Sequence, residues 1–276
     1  TGVQTCALPI FLEDTDLLYS GIRQLPADFW DKHGQGMESW KHDNRTAYRV
    51  KGPLCAKLLT NEFLFQDDAQ PPFQAVVRNV TGKSAEFETL IDYSHPKNAV
   101  WGITARNREQ NFALNLLMDP EIDFVSLLGQ AGTGKTLLTL AAALTQVLDS
   151  RRYTEIIITR VTVPVGEDIG FLPGTEEEKM SPWMGALEDN LEVLNKTDEQ
   201  AGDWGRAATH DLIRNRIKIK SLNFMRGRTF LNKFLIIDEA QNLTPKQMKT
   251  LVTRAGPGTK VVCMGNIAQI DTPYLT

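Results

Sequence analysis

The chain has 276 residues, of which 42% are hydrophobic and 23% charged, and its formal net charge at pH 7 is −4. This length allows one large core and, as we expect, a smaller domain beside it. The sequence shows neither an apolar run long enough to cross a bilayer nor an export signal, which favours a cytoplasmic protein. The slightly acidic charge excludes a uniformly basic surface, so a nucleic acid would have to bind a local basic stripe.

The first ten residues, TGVQTCALPI, look like the in-frame translation of a common sequencing adapter. We exclude residues 1–10 from the fold for that reason and expect the natural sequence to start, inside a longer protein, at about Phe11. Residues 11–100 contain short strand-like runs such as AYRV, FQAVVRNV and FETLIDY, separated by glycine, proline, asparagine and aspartate. This pattern predicts a small β-rich accessory or linker module.

Residues 101–276 show a different pattern, in which apolar strands alternate with helices. The strand-like segments are FVSLL, EIIITR, RIKIK, FLIID and KVVCM, and a helix is predicted from Lys135 to Leu148. Continuous apolar strands in such an alternation are typical of a parallel sheet covered by helices on both faces. We therefore predict an α/β core with a parallel sheet in this part of the chain.

The segment ITARNREQNFALNLL predicts an amphipathic helix just before the first of these strands. Gln110 lies near the start of this helix, and a side-chain amide can pair with both N6 and N7 of adenine. Asn107 and Thr104 are residue types that cap helices, so capping is the alternative interpretation of this polar cluster.

A glycine-rich motif joins the strand FVSLL to the helix that follows. Its residues match GxxxxGK[ST] and are Gly129, Gln130, Ala131, Gly132, Thr133, Gly134, Lys135 and Thr136. The glycines let successive backbone N–H groups turn toward a phosphate, and the helix N-terminus adds its positive dipole. We assign Lys135 to the outer phosphates and Thr136 to Mg²⁺. With a strand before it and a helix after it, the motif predicts a site for ATP and Mg²⁺.

A second motif ends the strand FLIID. Asp238 stands where a carboxylate can hold the Mg²⁺ shell, and Glu239 follows where it can polarise an attacking water. Ordinary surface acids at a strand end are the alternative. Beside the glycine-rich motif, this pair favours hydrolysis over phosphorylation of a small molecule.

EIIITR and RIKIK both fall between these two motifs in sequence, so we expect at least one strand to lie between the two motif-bearing strands in the sheet. That order is RecA-like. Polar or flexible residues also follow the strand KVVCM, where a γ-phosphate sensor is needed; they are Gly265, Asn266, Gln269 and Asp271. We assign Gln269 to catalysis, with a simple polar turn as the alternative.

Basic residues alternate with isoleucine in the strand RIKIK. Their side chains share one face of a strand while Ile217 and Ile219 pack inward. Such a stripe can bind the phosphates of RNA, although charges that protect an edge strand from aggregation explain it equally well. Arg160, at the end of EIIITR, is a further candidate contact to a single strand, and Thr159 and Thr162 could add backbone contacts. The basic candidates for RNA binding are Arg160, Arg214, Arg216, Lys218 and Lys220.

These motifs, in this order, resemble the PhoH-like ATPase family, whose core is similar to that of superfamily 1 helicases. The resemblance runs from about Trp101 to Thr276, through GQAGTGKT, ITRVTVPVGEDIGFLPGT, NFMRGRTF, IIDEAQN and GNIAQID. The stretch before it further resembles the PIN-PhoH subgroup, in which a PIN ribonuclease domain precedes the ATPase. The resemblance implies a fragment that lacks the PIN domain and the C-terminal end.

The resemblance also implies a function, in which ATP hydrolysis is coupled to unwinding or translocation of RNA next to a PIN ribonuclease domain. The alternative is a nucleotide-dependent assembly switch that does not act on nucleic acid. One RecA-like unit has no second core to supply an arginine to the phosphates, so we expect a homo-oligomer, with a ring as its simplest form. Arg254, which ends the helix after IIDEAQN, is our candidate for that arginine, with helix capping as the alternative.

Overall fold

The structure, a computed structural model, describes residues 20–69, 72–160, 189, 215–220 and 229–269. The chain divides into two compact units, with the boundary between Asp92 and Tyr93. The predicted division between residues 100 and 101 lies shortly after that point. Within the described ranges, every helix is too short or too polar to span a bilayer.

The elements of the first unit are β1 (Ile22–Gln24), α1 (Phe29–His33), β2 (Glu38–His42), β3 (Arg45–Lys51), β4 (Phe63–Gln66), β5 (Phe73–Thr81) and β6 (Ser84–Thr89). Its strands form one sheet in the order β1-β4-β5-β6-β3-β2. Phe29 of α1 and Phe87 of β6 are fully buried against one face of this sheet, with ring centroids 6.4 Å apart. The predicted β-rich module is confirmed.

The elements of the second unit are α2 (Arg108–Met118), β7 (Phe124–Leu128), α3 (Lys135–Leu144), β8 (Glu155–Arg160), β9 (Ile217–Ile219), β10 (Lys233–Asp238), α4 (Pro245–Arg254) and β11 (Lys260–Gly265). The strands lie in the order β7-β11-β10-β8-β9, and each neighbouring pair is parallel. The predicted α/β core with a parallel sheet is therefore confirmed.

One strand separates β7 from β10, as the RecA-like order requires, but it is not one of the two strands that we expected there. EIIITR and RIKIK form β8 and β9, which both lie on the far side of β10. The separating strand is β11, which follows both motifs in sequence. Every residue of β11 is buried, as expected for a strand with neighbours on both edges and packing on both faces.

Local side-chain bonds fix where the helices of this unit begin. The Asn107 side chain accepts a hydrogen bond from the backbone N–H of Gln110 at 2.8 Å, which caps α2 as the alternative interpretation predicted. Helix α4 begins with a capping box, in which Thr244 and Gln247 each satisfy the other's backbone N–H. Both helices thus start at defined positions against the sheet.

A buried lysine joins β11 to the end of α2. Lys260 is fully buried, and its Nζ donates to the backbone oxygens of Leu116, Asp119 and Ile122 at 3.0, 2.8 and 2.7 Å. Burial lowers the pKa of Lys260 to about 7, against an opposing attraction from Asp119. The three carbonyls match the three N–H groups of an ammonium, so this side chain holds the last turn of α2 to the sheet.

Candidate active site

The phosphate loop runs from the end of β7 to the start of α3, and its glycines are required by the backbone. Gly132 and Gly134 have φ values of 78° and 89°, in the left-handed region that side chains rarely adopt. A Cβ at Gly134 would also lie 3.2 Å from Nε2 of Gln110. At the start of the loop, Gly129 N donates to Gly265 O at 3.1 Å, which ties the loop to β11.

Lys135 is the first residue of α3 and folds back over the loop. Its Nζ donates to the backbone oxygens of Gly129 and Gln130 at 2.6 and 2.8 Å. Burial lowers the pKa of Lys135, while the negative charges of Asp238 and Glu239 oppose that shift. Burial is the larger effect, so the surroundings of this ammonium do not fully compensate its loss of water. A phosphate that entered the cleft could take over its N–H donors from the loop carbonyls.

A cleft of about 420 Å³ opens where the phosphate loop meets the carboxyl ends of β8, β10 and β11. Sites for small molecules are roughly 300–1,000 Å³, and in parallel sheets they lie at this edge. The lining residues are 131–137, Arg160, Asp238, Glu239, Gly265, Asn266 and Gln269. Lys135 and Asp238 both line this cleft, as predicted, and β11 lies between their strands.

Thr136 and Asp238 both line the cleft and offer the oxygen ligands that Mg²⁺ prefers. Mg²⁺ usually takes only one or two protein ligands and completes its shell with phosphate oxygens and water. The described residues contain no cluster of three acidic, histidine or cysteine side chains that could hold a metal by themselves. The two residues therefore fit Mg²⁺ that is bound together with nucleotide phosphates.

Glu239 leaves β10 in a left-handed conformation, with φ of 55°. For a residue other than glycine this conformation costs about 1–2 kcal/mol. Its Oε1 accepts a hydrogen bond from Arg160 Nη2 at 3.2 Å, and its Oε2 accepts one from Gln241 Nε2 at 2.6 Å. The carboxylate is therefore held on both sides at the rim of the cleft.

Gln241 is a site residue that the sequence patterns did not reveal. Besides its bond to Glu239, its Oε1 accepts from the backbone N–H of Asn266 at 3.1 Å, and its Nε2 donates to Gln269 O at 3.0 Å. A Cβ at Gly265 would lie only 2.8 Å from Gln241 Oε1. The signal in the sequence was an amide two positions after Glu239, which no periodicity distinguishes from an ordinary turn residue.

The predicted sensor residues lie in the turn after β11. Asn266 and Gln269 line the cleft, and Asn266 Nδ2 donates to Gln269 Oε1 at 2.9 Å. The turn itself is a short 3₁₀ helix over Ile267–Gln269, so the polar-turn alternative is also present. Asp271 lies outside the described residues.

Gln110 contacts the phosphate loop directly. Its Oε1 accepts from Arg106 N at 2.9 Å, and its Nε2 donates to Thr133 O at 3.0 Å. These are the same two amide atoms that recognition of adenine would use, so a base would have to compete with the loop for them. Adenine recognition by Gln110 stays a prediction.

The candidate RNA contacts within the described residues are Arg160, Arg216, Lys218 and Lys220, whereas Arg214 lies outside them. Arg216, just before β9, and Lys218, on β9, are exposed, while Ile217 and Ile219 are half-buried, as the alternation predicted. Lys220 N donates to Ile158 O at 2.9 Å, so the end of β9 runs beside the end of β8. Thr159 is fully buried, so its side chain is not available to RNA, and Thr162 lies outside the described residues.

Arg254 lies at the opposite edge of the sheet from the phosphate loop. Its backbone oxygen accepts from Phe230 N at 2.8 Å, and Phe230 precedes the start of β10. The side chain is half-buried, and its Nε has no hydrogen-bond partner among the described residues. Arg254 therefore lies away from the cleft of its own chain.

Comparisons with known proteins find relatives of this chain. A family model described as PhoH-like protein matches residues 102–276. Protein PhoH2 of Bacillus subtilis is 47% identical over 176 residues, which cover 64% of this chain and 39% of the relative. A PhoH-like protein of the same organism is 41% identical over 188 residues, which cover 68% and 56%.

Among solved structures, the large terminase ATPase domain of a Thermus phage aligns over 63% of this chain and 70% of its own, with 14% identity and a TM-score of 0.35. Because this TM-score is low, the assignment of the fold is based on the strand order of the sheet. The chain spans less than two thirds of the length of either Bacillus relative. The family match covers more than half of the chain and includes both motifs of the cleft. The chain belongs to the PhoH-like family, and its second unit is a P-loop NTPase core.

Proposed function

We propose that this chain binds ATP together with Mg²⁺ and hydrolyses it. The observation that carries the proposal is that one cleft holds Lys135, Thr136, Asp238 and Glu239. These side chains provide a cation for the phosphates, oxygen ligands for a metal and a carboxylate for water. A site that only bound nucleotide would not need a carboxylate that faces the attacking water, which is the role proposed for Glu239.

The chemistry proposed for each residue follows from its position. Lys135 exchanges the carbonyls of Gly129 and Gln130 for phosphate oxygens when nucleotide enters. Thr136 and Asp238 would hold Mg²⁺, which when bound neutralises charge on the phosphates. Glu239 accepts a proton from the attacking water, a role that typically contributes about 10²–10⁴-fold to the rate.

We further propose that hydrolysis drives unwinding or translocation of single-stranded RNA, next to a PIN ribonuclease domain. Support comes from the resemblance to the PIN-PhoH subgroup and from the basic side chains at the ends of β8 and β9. Arg160 lines the cleft itself, and Lys220 follows the end of the neighbouring strand β9. A strand of RNA lying across these two ends would contact the site of hydrolysis.

ATPase rates with and without single-stranded RNA test this function. We expect RNA to raise kcat, and we expect the stimulation to fall steeply with salt because phosphate contacts release counterions. Lys135→Ala serves as the inactive control. Hydrolysis that RNA does not change would instead favour the nucleotide-dependent assembly switch.

We also propose that the site is completed by a second copy of the chain, in a homo-oligomer such as a ring. Arg160 is the one arginine among the described lining residues, and it is already paired with Glu239. A further cation for the phosphates would therefore come from elsewhere, and Arg254 at the opposite edge of the sheet is suitably placed to serve a neighbour. Its buried Nε has no hydrogen-bond partner within the described part of the chain, and a phosphate bound to a neighbouring subunit would supply one.

A further inference from the structure

Glu239 is restrained at both carboxylate oxygens by side chains of its own unit. Arg160 Nη2 holds Oε1 at 3.2 Å, and Gln241 Nε2 holds Oε2 at 2.6 Å. The side chains of Arg160 and Glu239 are 33% and 28% exposed, so their ion pair is accessible from the cleft but not fully solvated. The proposed base is thus engaged before any substrate arrives.

The fold places these two charges together. Strands β8 and β10 are parallel neighbours, and their register sets Arg160 opposite Asp238. The left-handed conformation of Glu239, with φ of 55°, then turns the chain immediately after Asp238. Arg160 ends β8, and Glu239 is the first residue after β10. The two side chains are therefore close enough to form their ion pair.

This ion pair occupies the acceptor that an attacking water needs. Oε1 of Glu239 accepts a hydrogen bond from the guanidinium, and Oε2 accepts one from Gln241, so both oxygens already have a partner. A ligand that draws Arg160 away would leave Glu239 held by Gln241 alone, with Oε1 open toward the cleft. Phosphate groups are suitable competitors, because guanidinium binds phosphate as well as carboxylate.

We propose that Arg160 is a positioning residue that restrains Glu239 in the absence of RNA, and that RNA phosphates release Glu239 by binding Arg160. The inference rests on the proposed function, since it describes how RNA stimulates hydrolysis at the same cleft. It gives Arg160 two alternating partners: Glu239 of its own chain and a phosphate of the bound strand.

The test compares Arg160→Gln and Arg160→Lys with the unchanged full chain, using an oligouridylate as the RNA. Without RNA, Arg160→Gln should raise kcat about two- to fivefold while KM for ATP stays the same. This factor is the rate ratio that corresponds to the free energy of a partly exposed ion pair. The oligouridylate should then add little further stimulation. Arg160→Lys keeps the positive charge but loses the planar pair of N–H donors. Its RNA-free kcat and its stimulation by the oligouridylate should therefore lie between those of the unchanged chain and of Arg160→Gln.

Salt gives a readout that a purely structural role would not change. Rising ionic strength weakens an exposed ion pair, so the RNA-free kcat of the unchanged chain should rise relative to that of Arg160→Gln. The matched control is Lys233→Gln, because Lys233 pairs with Glu155 at 3.0 Å between the same two strands, at their other end. This control should keep both the basal rate and the stimulation.

The outcomes separate the inference from the function on which it rests. A lower or unchanged RNA-free kcat in Arg160→Gln overturns the restraint, even if RNA still stimulates the unchanged chain. Full stimulation of Arg160→Gln overturns release through Arg160. If RNA fails to stimulate the unchanged chain, the proposed function and the release step fail together, and the RNA-free rates still decide whether Arg160 restrains Glu239.

Discussion

Glu239 combines a strained backbone with a side chain that is held at both ends of its carboxylate. A left-handed conformation at a residue other than glycine persists only where the surroundings over-determine it. Here the surroundings are β10 before it, the bonds from Arg160 and Gln241, and the short turn over Ala240–Asn242 after it. The position of the carboxylate is therefore set by the fold rather than by side-chain freedom.

The first prediction concerns this carboxylate. Glu239→Gln keeps the shape of the side chain but removes its charge, so ATP should still bind while kcat falls by about a hundredfold or more. Titration with a fluorescent ATP analogue measures binding, and phosphate release measures turnover. Unchanged turnover would show that another residue positions the water.

Whereas Glu239→Gln should mainly impair turnover, Lys135→Ala should mainly impair ATP binding. Its ammonium is the cation of the phosphate loop, so its removal should abolish productive binding of ATP rather than slow the chemical step alone. The same fluorescent titration measures the loss. A variant that bound ATP with unchanged affinity would contradict the assignment of Lys135 to the outer phosphates.

At the scale of elements, the turn after β11 and the turn after β10 meet through Gln241. Gly265 is the point of contact, because a Cβ there would lie 2.8 Å from Gln241 Oε1 and 3.3 Å from Gln241 N. A larger residue would push the amide away from both Asn266 and Glu239. Glycine at this position therefore allows the turn after β10 to pack against the end of β11.

Gly265→Ala should therefore lower kcat about tenfold with little change in KM for ATP, because the added Cβ displaces Gln241 and with it Glu239, while the backbone bond from Gly129 to Gly265 does not depend on the side chain. Gln241→Ala should give a similar loss. The double variant should be no worse than either single variant, since both disrupt one contact. Additive losses in steady-state kinetics would mean that the two residues act separately.

Much of this site could be predicted from the sequence, because its parts are local. The phosphate loop and the pair Asp238 and Glu239 each stand next to the strand that positions them, so a short motif was sufficient. The order of strands could not be predicted in the same way, because which strand fills the centre depends on packing from both faces. β11 lies there although it follows both motifs in sequence.

Contacts between side chains of distant elements were equally hidden. Gln110 was interpreted as an adenine reader from its residue type, and the structure shows it bonded to Thr133 of the phosphate loop. Arg160 was predicted to bind RNA, and its contact with Glu239 depends on a parallel register that no local pattern encodes.

At the scale of the whole molecule, Lys260 predicts a pH dependence of stability. Its pKa is lowered from 10.5 to about 7 by burial, so between these pH values the unfolded chain carries a proton that the folded chain has released. Stability from this group is therefore present above pH 10.5 and is lost as pH falls toward 7. Relative to Lys260→Met, the unchanged chain should gain up to about 1.4 kcal/mol per pH unit over this window.

Urea unfolding of both proteins at pH 7, 8 and 9, roughly the lower part of this window, measures the effect. Parallel curves would contradict the prediction and would mean that the three carbonyls around Nζ keep the ammonium charged throughout. The Met variant is a suitable reference because it retains the length of the side chain without its charge.

Mixing of subunits tests the proposed shared site. A chain with Arg254→Ala and a chain with Lys135→Ala should each be inactive alone, because one lacks the donated arginine and the other cannot bind ATP. Combined, they should recover part of the activity at interfaces that pair an intact Arg254 with an intact Lys135. A strictly monomeric protein whose specific activity does not depend on concentration would rule out a shared site.

The position of β11 also sets the size of the cleft. Neighbouring strands lie about 4.8 Å apart, so the strand that bears the phosphate loop and the strand that ends in Asp238 are separated by roughly 9–10 Å across β11. With one strand between them, the phosphate loop and Asp238 reach the cleft from separate strands, and Gly265 and Asn266 at the end of β11 line the cleft beside them. The width of that strand thereby adds to the length of ligand that fits between the loop and the end of β10.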